Sequence, residues 1–476
     1  MFQEGAMEEI LSEIINVPSR FIWTYLVYIL IGIGLFFTFK LKFVQFRYFF
    51  EMFRIVGQKE EKGKGVSSLQ AFFISAASRV GTGNLTGVAL AVATGGPGAV
   101  FWMWVVALVG MASSFVESTL AQVYKVKDGD HFRGGPAYYM EKALGARWMG
   151  IIFAVLITIT FGLIFNAVQA NTIVGSMEGA FNLDKTTVGI VLAVLTGFII
   201  FGGLKRVVTV SQLIVPVMAV IYLGLALFVV LTNISQIPAV FAMIVKDAFG
   251  IEQIAGGTLG SIIIIGAKRG LFSNEAGMGS APNAAATANV SHPAKQGFIQ
   301  TLGVFFDTMV ICSATAFMIL LFNLTPGKEL DGIQITQAAM QHHVGSWAPA
   351  FVAVAIFLFA FSSIVGNYYY GETNIEFIKK SKTTLAVYRT AVVAMVIFGS
   401  VSGFQLVWDM ADLFMGLMAI INLIAILLLS GIAAKVLKDY TDQRKTGKNP
   451  VFKASSIPGL KNTEAWEDEK ETLQSK

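Results

Sequence analysis

Two short polar strings interrupt apolar stretches of this 476-residue chain. One is Val80-Gly81-Thr82-Gly83-Asn84; the other is Ser273-Asn274-Glu275, followed by Gly277, Gly279 and Pro282. Glycine costs about 1 kcal/mol in a helix interior and proline about 3, so neither string favours an unbroken helix. A break frees backbone groups that a helix would consume. The start of a half-helix offers N–H groups and partial positive charge to a carboxylate. The end of one offers carbonyls to Na⁺ or an ammonium group. Together they suit a small zwitterion bound beside a cation. Gly83 permits close backbone approach, Thr82 adds a hydroxyl, Asn84 an amide, and Ser273, Asn274 and Glu275 add oxygens.

Further polar residues stand in apolar surroundings. Asn166, Gln169 and Asn171 interrupt one run, and Ser362 and Ser363 set adjacent hydroxyls in another. A lone serine in lipid usually bonds the carbonyl four residues back; an adjacent pair facing a break is also an oxygen pair for a hard cation. Ionisable residues within spans are costly and mark function or internal pairing. They are Arg79, Glu117, Lys268, Arg269, Glu275, Asp307 and Glu372. Glu275 is expected to touch the site. Glu117, Asp307 and Glu372 are read as braces lying away from the breaks. Arg79 either pairs with Glu275 or points into a vestibule.

The elements that carry these residues must be membrane helices. Hydrophobic residues make up 55% of the chain and charged ones 14%, whereas a soluble domain carries about 25% charged. Mean hydropathy is +0.67. A crossing needs about 20 apolar residues. Eleven runs qualify: 21–39, 68–92, 97–124, 149–177, 187–204, 207–232, 256–290, 297–322, 347–377, 384–405 and 410–434. Strand periodicity is absent, so the expected fold is all-α, an integral membrane bundle of eleven helices.

Lys and Arg set the orientation. With the N-terminus outside, the inner segments hold seven basic residues in 40–64, five in 125–147, two at 205–206, Lys295, four in 379–389 and nine in 435–476. The outer segments hold only Arg20, Lys185, Lys246 and Lys328. A multi-pass protein of the plasma membrane follows, with an extracellular stretch at 1–20, a peripheral helix at 21–39 and a cytoplasmic tail at 435–476 without a fold of its own. Setting the first span aside, the interrupted runs are the first and sixth of ten. Two five-helix units, 68–232 and 256–434, therefore begin alike and enter from opposite sides. A matched pair of broken spans is the sequence pointer to a transporter's midplane site. The plain alternative is glycine that merely lets helices pack closely.

Other classes find little support. The basic residues are dispersed, so no nucleic-acid partner is expected. Cys312, the one cysteine, reads as a small core residue, and the acidic N-terminus lacks the basic start of a signal peptide. No H-E-x-x-H, G-x-S-x-G or cysteine–histidine arrangement points to an enzyme. His131, His292, His342 and His343 fall in expected loops as solvated residues. A channel would need a polar lining, and the spans show one polar stratum. A proton-coupled carrier using Glu275 or Asp307 is the rival.

The strings SRVGTGNLTGVA (78–89), GGPGAVFWMW (95–104), RGGPAYYM (133–140), RGLFSNEAGMGSAP (269–282) and YYYGE (368–372) resemble the alanine or glycine:cation symporters, also called the sodium:alanine symporter family, from about residue 20 to 435. The resemblance implies the five-plus-five inverted fold of neurotransmitter:sodium symporters with one extra N-terminal helix. It implies sodium-coupled uptake of a small neutral amino acid by alternating access, with no organic cofactor and with the monomer as the working unit. Backbone N–H groups at Thr82 and Gly83 would take the substrate carboxylate. Asn84 would sit near the substrate or a second cation, and Gln169, Phe272, Ser273 and Asn274 would line the pocket. Carbonyls of Ala77, Val80 and Phe359 with the hydroxyls of Ser362 and Ser363 would hold sodium. Many members carry Thr-Thr and then Trp where this chain has Ser362, Ser363 and Asn367. The smaller, amide-bearing Asn367 implies acceptance of a larger polar amino acid, glutamine first, rather than alanine or glycine.

Overall fold

The computed structural model describes residues 2–58, 66–202, 204–250, 259–322 and 332–466. Residues 256–258, Lys328 and the last ten residues of the tail fall outside them. The chain is nearly all helical. Helix α1 (Phe2–Lys40) absorbs both the expected N-terminal stretch and the peripheral helix. The short α2 (Phe49–Val56) follows. Then α3 (Ser68–Arg79) starts on a reciprocal cap, with Ser67 Oγ accepting from Gln70 N at 3.1 Å and Gln70 Oε1 accepting from Ser67 N at 2.8 Å. Beyond the first break a π turn, Gly83–Gly87, leads into α4 (Val88–Gly95) and then α5 (Gly98–Val123).

A two-stranded hairpin, β1 (Val126–Asp128) and β2 (His131–Arg133), precedes α6 (Pro136–Leu144). The long helix α7 (Arg147–Phe181) follows. Next come α8 (Lys185–Ile200), started by the Asp184 side chain, α9 (Leu204–Thr232) and α10 (Ile237–Phe249). Around the second break stand α11 (Leu259–Asn274) and α12 (Ala281–Ala285). The chain closes with α13 (Pro293–Leu321), α14 (Gly332–Val344), α15 (Ala348–Ile378), α16 (Lys382–Val401) and α17 (Phe404–Lys445).

Among the described residues seven helices are long and apolar enough to cross a membrane, or eight if the bent pair Pro216–Thr232 and Ile234–Phe249 counts as one. This is a multi-pass membrane protein. Runs 68–92 and 256–290 do not form single long helices because each is interrupted, and α8 has only 16 residues. The surface reverses the soluble pattern: Phe50, Phe198 and Val220 are exposed, while Arg79, Glu117, Glu275 and Asp307 are buried. Helix α1 packs on α17 and α5, α13 on α5, and α15 on α7, so both breaks lie in the interior.

The polar stretch after Ala434 differs from expectation. It extends α17 to Lys445 and then folds back on the bundle, burying Phe452 and Ile457. Two apolar side chains with partners are enough to order a short polar tail.

Candidate functional site

The first break opens where α3 ends. Val80 is extended, with φ −79° and ψ 94°. Gly81 N donates to Asn84 Oδ1 at 2.9 Å. Thr82 donates from both its backbone N and its hydroxyl to Gln169 Oε1 on α7, at 3.2 and 2.6 Å. A Cβ on Gly83 would stand 3.0 Å from the Ser273 Cα, and one on Gly81 would collide with the Ser363 hydroxyl. Glycine is what lets the first break touch its neighbours.

The second break is built from left-handed backbone. Glu275 has φ +58°, Gly277 +84° and Gly279 +88°. The N–H groups of Gly277 and Gly279 both donate to the Glu117 carboxylate of α5 at 3.1 Å, and Asn422 Nδ2 adds a bond at 2.8 Å. A buried carboxylate therefore fixes the exposed main chain of this turn. Glu117 braces, as expected, but it does so on the break rather than away from it.

The two breaks meet. Asn84 Nδ2 donates to Ser273 Oγ at 3.0 Å and to Asp307 Oδ1 at 2.7 Å, and Ser273 Oγ donates to Asp307 Oδ2 at 2.8 Å. Asn274 Nδ2 reaches Thr308 Oγ1 at 3.1 Å. Asp307 thus joins both breaks from a π turn, Phe305–Cys312, within α13, which corrects its reading as a remote brace. Cys312 is likewise no plain core residue, for its Sγ stands 3.2 Å from Ser273 Oγ.

Four of the five expected sodium ligands converge. Ala77 O lies 2.9 Å from Ser363 Oγ and 3.5 Å from Ser362 Oγ, while Phe359 O lies 2.8 Å from Ser362 Oγ and 3.1 Å from Ser363 Oγ. These hard, uncharged oxygens match the chemistry of Na⁺. Val80 stands just past Arg79 at the break, and its carbonyl makes no hydrogen bond with the serines.

Glu275 reaches the first break through Ser78, whose hydroxyl lies 2.7 Å from both Glu275 Oε1 and Asn367 Oδ1. One proton cannot serve two acceptors, so the chain closes when Asn367 turns its NH₂ toward Ser78 and Ser78 donates to Glu275. The Ser280 hydroxyl donates to the other oxygen of Glu275, Oε2, at 2.5 Å. Arg79 neither pairs with Glu275 nor opens to solvent: it is buried and donates to Gln300 O at 3.4 Å. Ser78 and Ser280 meet the Glu275 carboxylate instead.

Phe272 closes one side, its ring 4.6 Å from Phe165 and 4.8 Å from Trp408. Above Trp408 lies Arg269, which pairs with Asp412 at 2.5 Å, as does Lys268 at 3.2 Å. Asp412 and Trp408 were missed by sequence reasoning, although an acid near the start of an apolar run is itself a signal. Asn166 bonds its own helix at Gly162 O and Asn171 ties α7 to Gly399 and Ser402, so only Gln169 of that trio joins the breaks. Glu372 pairs with Arg389 at 3.7 Å. His292 is buried on Asp439 rather than solvated, and His342 and His343 lie in α14.

A family model described as "Sodium:alanine symporter family" matches residues 7–454. The "Amino-acid carrier protein AlsT" of Bacillus subtilis is 74% identical, with 98% of this chain and all of that protein covered. The "Probable sodium/glutamine symporter GlnT" of the same organism is 55% identical over 97% of each chain. The "Sodium/proton-dependent alanine carrier protein" of Bacillus sp. (strain PS3) is 39% identical over 88% of this chain and 97% of its own.

Proposed function

The chain belongs to the sodium:alanine symporter family, and from that premise we propose that it carries out sodium-coupled uptake of a small neutral amino acid by alternating access. The observation that carries the reading is the meeting of two interrupted helices at Asn84 and Ser273. Each break turns main-chain groups away from helical pairing toward side chains, and the two together suit the opposite poles of an amino acid.

In this reading the eleven runs are eleven spans, with 68–232 and 256–434 as inverted five-helix repeats. The N-terminus is outside, and the tail-bearing face is cytoplasmic. Sodium binds Ala77 O, Val80 O, Phe359 O and the hydroxyls of Ser362 and Ser363. The substrate carboxylate takes the N–H groups of Thr82 and Gly83, displacing the Gln169 amide oxygen that Thr82 now serves. Asn84, Phe272, Ser273, Asn274 and Ser363 enclose it. Sodium entry organises the first break and adds about 2.3 kcal/mol per charge per 100 mV of membrane potential.

The side-chain pocket is assigned to Asn367, and glutamine is the first candidate substrate, with alanine and glycine behind it. Support comes from the buried Asn367 amide beside Ser78 and Glu275 and from the name of the 55%-identical relative, a probable sodium/glutamine symporter. Proton coupling is the second reading, favoured by Asp307, a buried acid in contact with both breaks. Counterflow in proteoliposomes with glutamine, alanine and glycine, with and without Na⁺, tests both. Sodium-dependent exchange that survives a protonophore supports the first reading. Sodium-independent uptake abolished by a protonophore supports the second and removes the first.

A further inference from the structure

The far ends of the two interrupted segments are tied to each other. Val66, two residues before α3, pairs with Ala288, beyond α12: Val66 N donates to Thr287 O at 3.2 Å and Asn289 N donates to Val66 O at 2.8 Å. Two side chains at the end of α5 hold this junction. Gln122 Nε2 donates to Ala285 O at 2.5 Å and Ala288 O at 3.0 Å, and Lys125 Nζ donates to Ala288 O at 2.8 Å. Lys125 is fully buried, and among the described residues no carboxylate lies within ion-pair distance of it.

The C-terminal tail covers the two holders. After α17 the chain turns at Gly447 (φ +77°) and is stapled back on Gln443, which bonds Val451 through N–H and carbonyl at 2.9 and 3.0 Å. Phe452 N donates to Ser291 O at 2.8 Å, and its ring packs on Trp466 at 5.1 Å. Glu464 pairs with Lys142 of α6 at 3.1 Å. Trp466 Nε1 donates to Gln122 O at 2.8 Å, and its ring stands 4.9 Å from Lys125 Nζ, with Phe132 on the other side at 4.1 Å. The ammonium is therefore caged by two aromatic faces, which attract a desolvated cation. The rings and a single carbonyl replace the carboxylate that a buried lysine ordinarily needs.

We propose that the tail is a latch on the gate at this face: Trp466, seated on Lys125 and Gln122, positions the Val66–Ala288 junction closed, and the tail must lift for substrate to leave here. Helices α3 and α12 pack on each other between the breaks and this junction, so a path opened between them needs Val66 and Ala288 to part. Removing the ring of Trp466 exposes one side of Lys125 to water and deletes the hydrogen bond to Gln122 O. Both changes favour the parted junction. The inference rests on the carrier reading for what passes the gate, though the closure itself does not depend on which amino acid that is.

Site-directed thiol labelling of the full chain in native membrane vesicles tests it. Asn289→Cys places a thiol at the junction, and parallel labelling of the chain without it, with and without Trp466→Ala, measures the background from the buried Cys312. With a membrane-impermeant maleimide on inside-out vesicles, Trp466→Ala should raise the labelling rate of the junction thiol at least about fivefold, and Trp466→Phe, which keeps a ring over Lys125, should raise it less. In a second arm, Lys142→Cys with Glu464→Cys is cross-linked by a short bifunctional maleimide. Cross-linking should suppress counterflow while leaving binding from the opposite face intact. Unchanged labelling in Trp466→Ala, or full counterflow in the cross-linked protein, would overturn the proposal. A Trp466 effect on labelling in a protein that moves no amino acid would leave the latch standing and remove the carrier reading. Faster labelling confined to right-side-out vesicles would keep the latch and reverse the assigned orientation.

Discussion

Asn84 of the first break and Ser273 of the second stand amide nitrogen to hydroxyl at 3.0 Å, and each donates to a different oxygen of Asp307, at 2.7 and 2.8 Å. The three groups form a closed ring of hydrogen bonds in which every donor has an acceptor. Two interrupted helices are thus held together by one carboxylate from a third element. A charge change on Asp307 would be felt by both breaks at once.

Asp307→Ala removes the acceptor of both donors. An orphaned buried polar group costs about 1–3 kcal/mol, so a lowered thermal midpoint is expected together with loss of uptake. Asp307→Asn keeps the shape and one of the two acceptor oxygens, so its melting should fall less than that of Asp307→Ala. Under sodium coupling its uptake should remain sodium-driven, though slower. Under proton coupling the membrane potential should still drive wild-type uptake, and Asp307→Asn should exchange substrate without accumulating it. Uptake and melting both unaffected in Asp307→Ala would show that the ring matters to neither.

Gln169 holds the N–H and hydroxyl of Thr82 through one amide oxygen. Gln169→Glu would place a permanent carboxylate where that of the substrate is proposed to bind. Apparent substrate affinity should fall roughly 10- to 100-fold, matching the 1.5–3 kcal/mol of a charged hydrogen bond. Gln169→Ala should weaken binding less, since it removes a competitor as well as a lining group. Isothermal titration or scintillation proximity on purified protein reads both. Equal affinity in wild type and Gln169→Glu would place the carboxylate elsewhere.

Ser362 and Ser363 each approach both Ala77 O and Phe359 O. Replacing either by Ala deletes one oxygen of the proposed sodium shell without adding bulk. The half-saturating Na⁺ concentration should rise several-fold in each single variant and further in the double one, with substrate affinity at saturating Na⁺ little changed for Ser362→Ala. A sodium dependence identical to wild type in the double variant would exclude this pair as ligands.

Much of this site was legible in the sequence, and the exceptions share a cause. Glycine and proline clusters announce broken helices because their backbone cost is local, so the strings at 80–84 and 273–282 could be read directly. Gln169 and the Ser362–Ser363 pair stood out as polar residues in apolar runs. What a run cannot tell is which way a side chain points. Asp307 lies in FFDTMVIC, where a π turn resets the helical face, so a residue that looked remote meets both breaks. Arg79 was read as pairing with Glu275 or pointing into a vestibule, and it does neither, because Ser78 and Ser280 meet the carboxylate. The tail hid its fold in polar composition, although Phe452, Ile457 and Trp466 were visible as anchors in it.

His292 gives the latch a pH dependence with a definite sign. Its Nδ1 accepts from Ala294 N at 3.2 Å, so Nε2 carries the proton and donates to Asp439 at 3.1 Å. Burial, opposed by Asp439 and aided by Lys295, holds its pKa below the ordinary 6.5. Its ring packs on Tyr440 and on Phe452 of the tail. In the folded state it takes up a proton less readily than when released. Once released it protonates near the ordinary value, so folding at this corner is favoured above pH 6.5 and loses ground as pH falls below it, by up to about tenfold per pH unit. Hydrogen exchange of residues 448–466 should therefore quicken between pH 7.5 and 5.5 after correction for intrinsic rates. His292→Asn keeps a capping oxygen for Ala294 N but cannot titrate, so the pH dependence of its protection should be weaker than that of wild type. A wild-type tail equally protected at both values would show that protonating His292 does not loosen it.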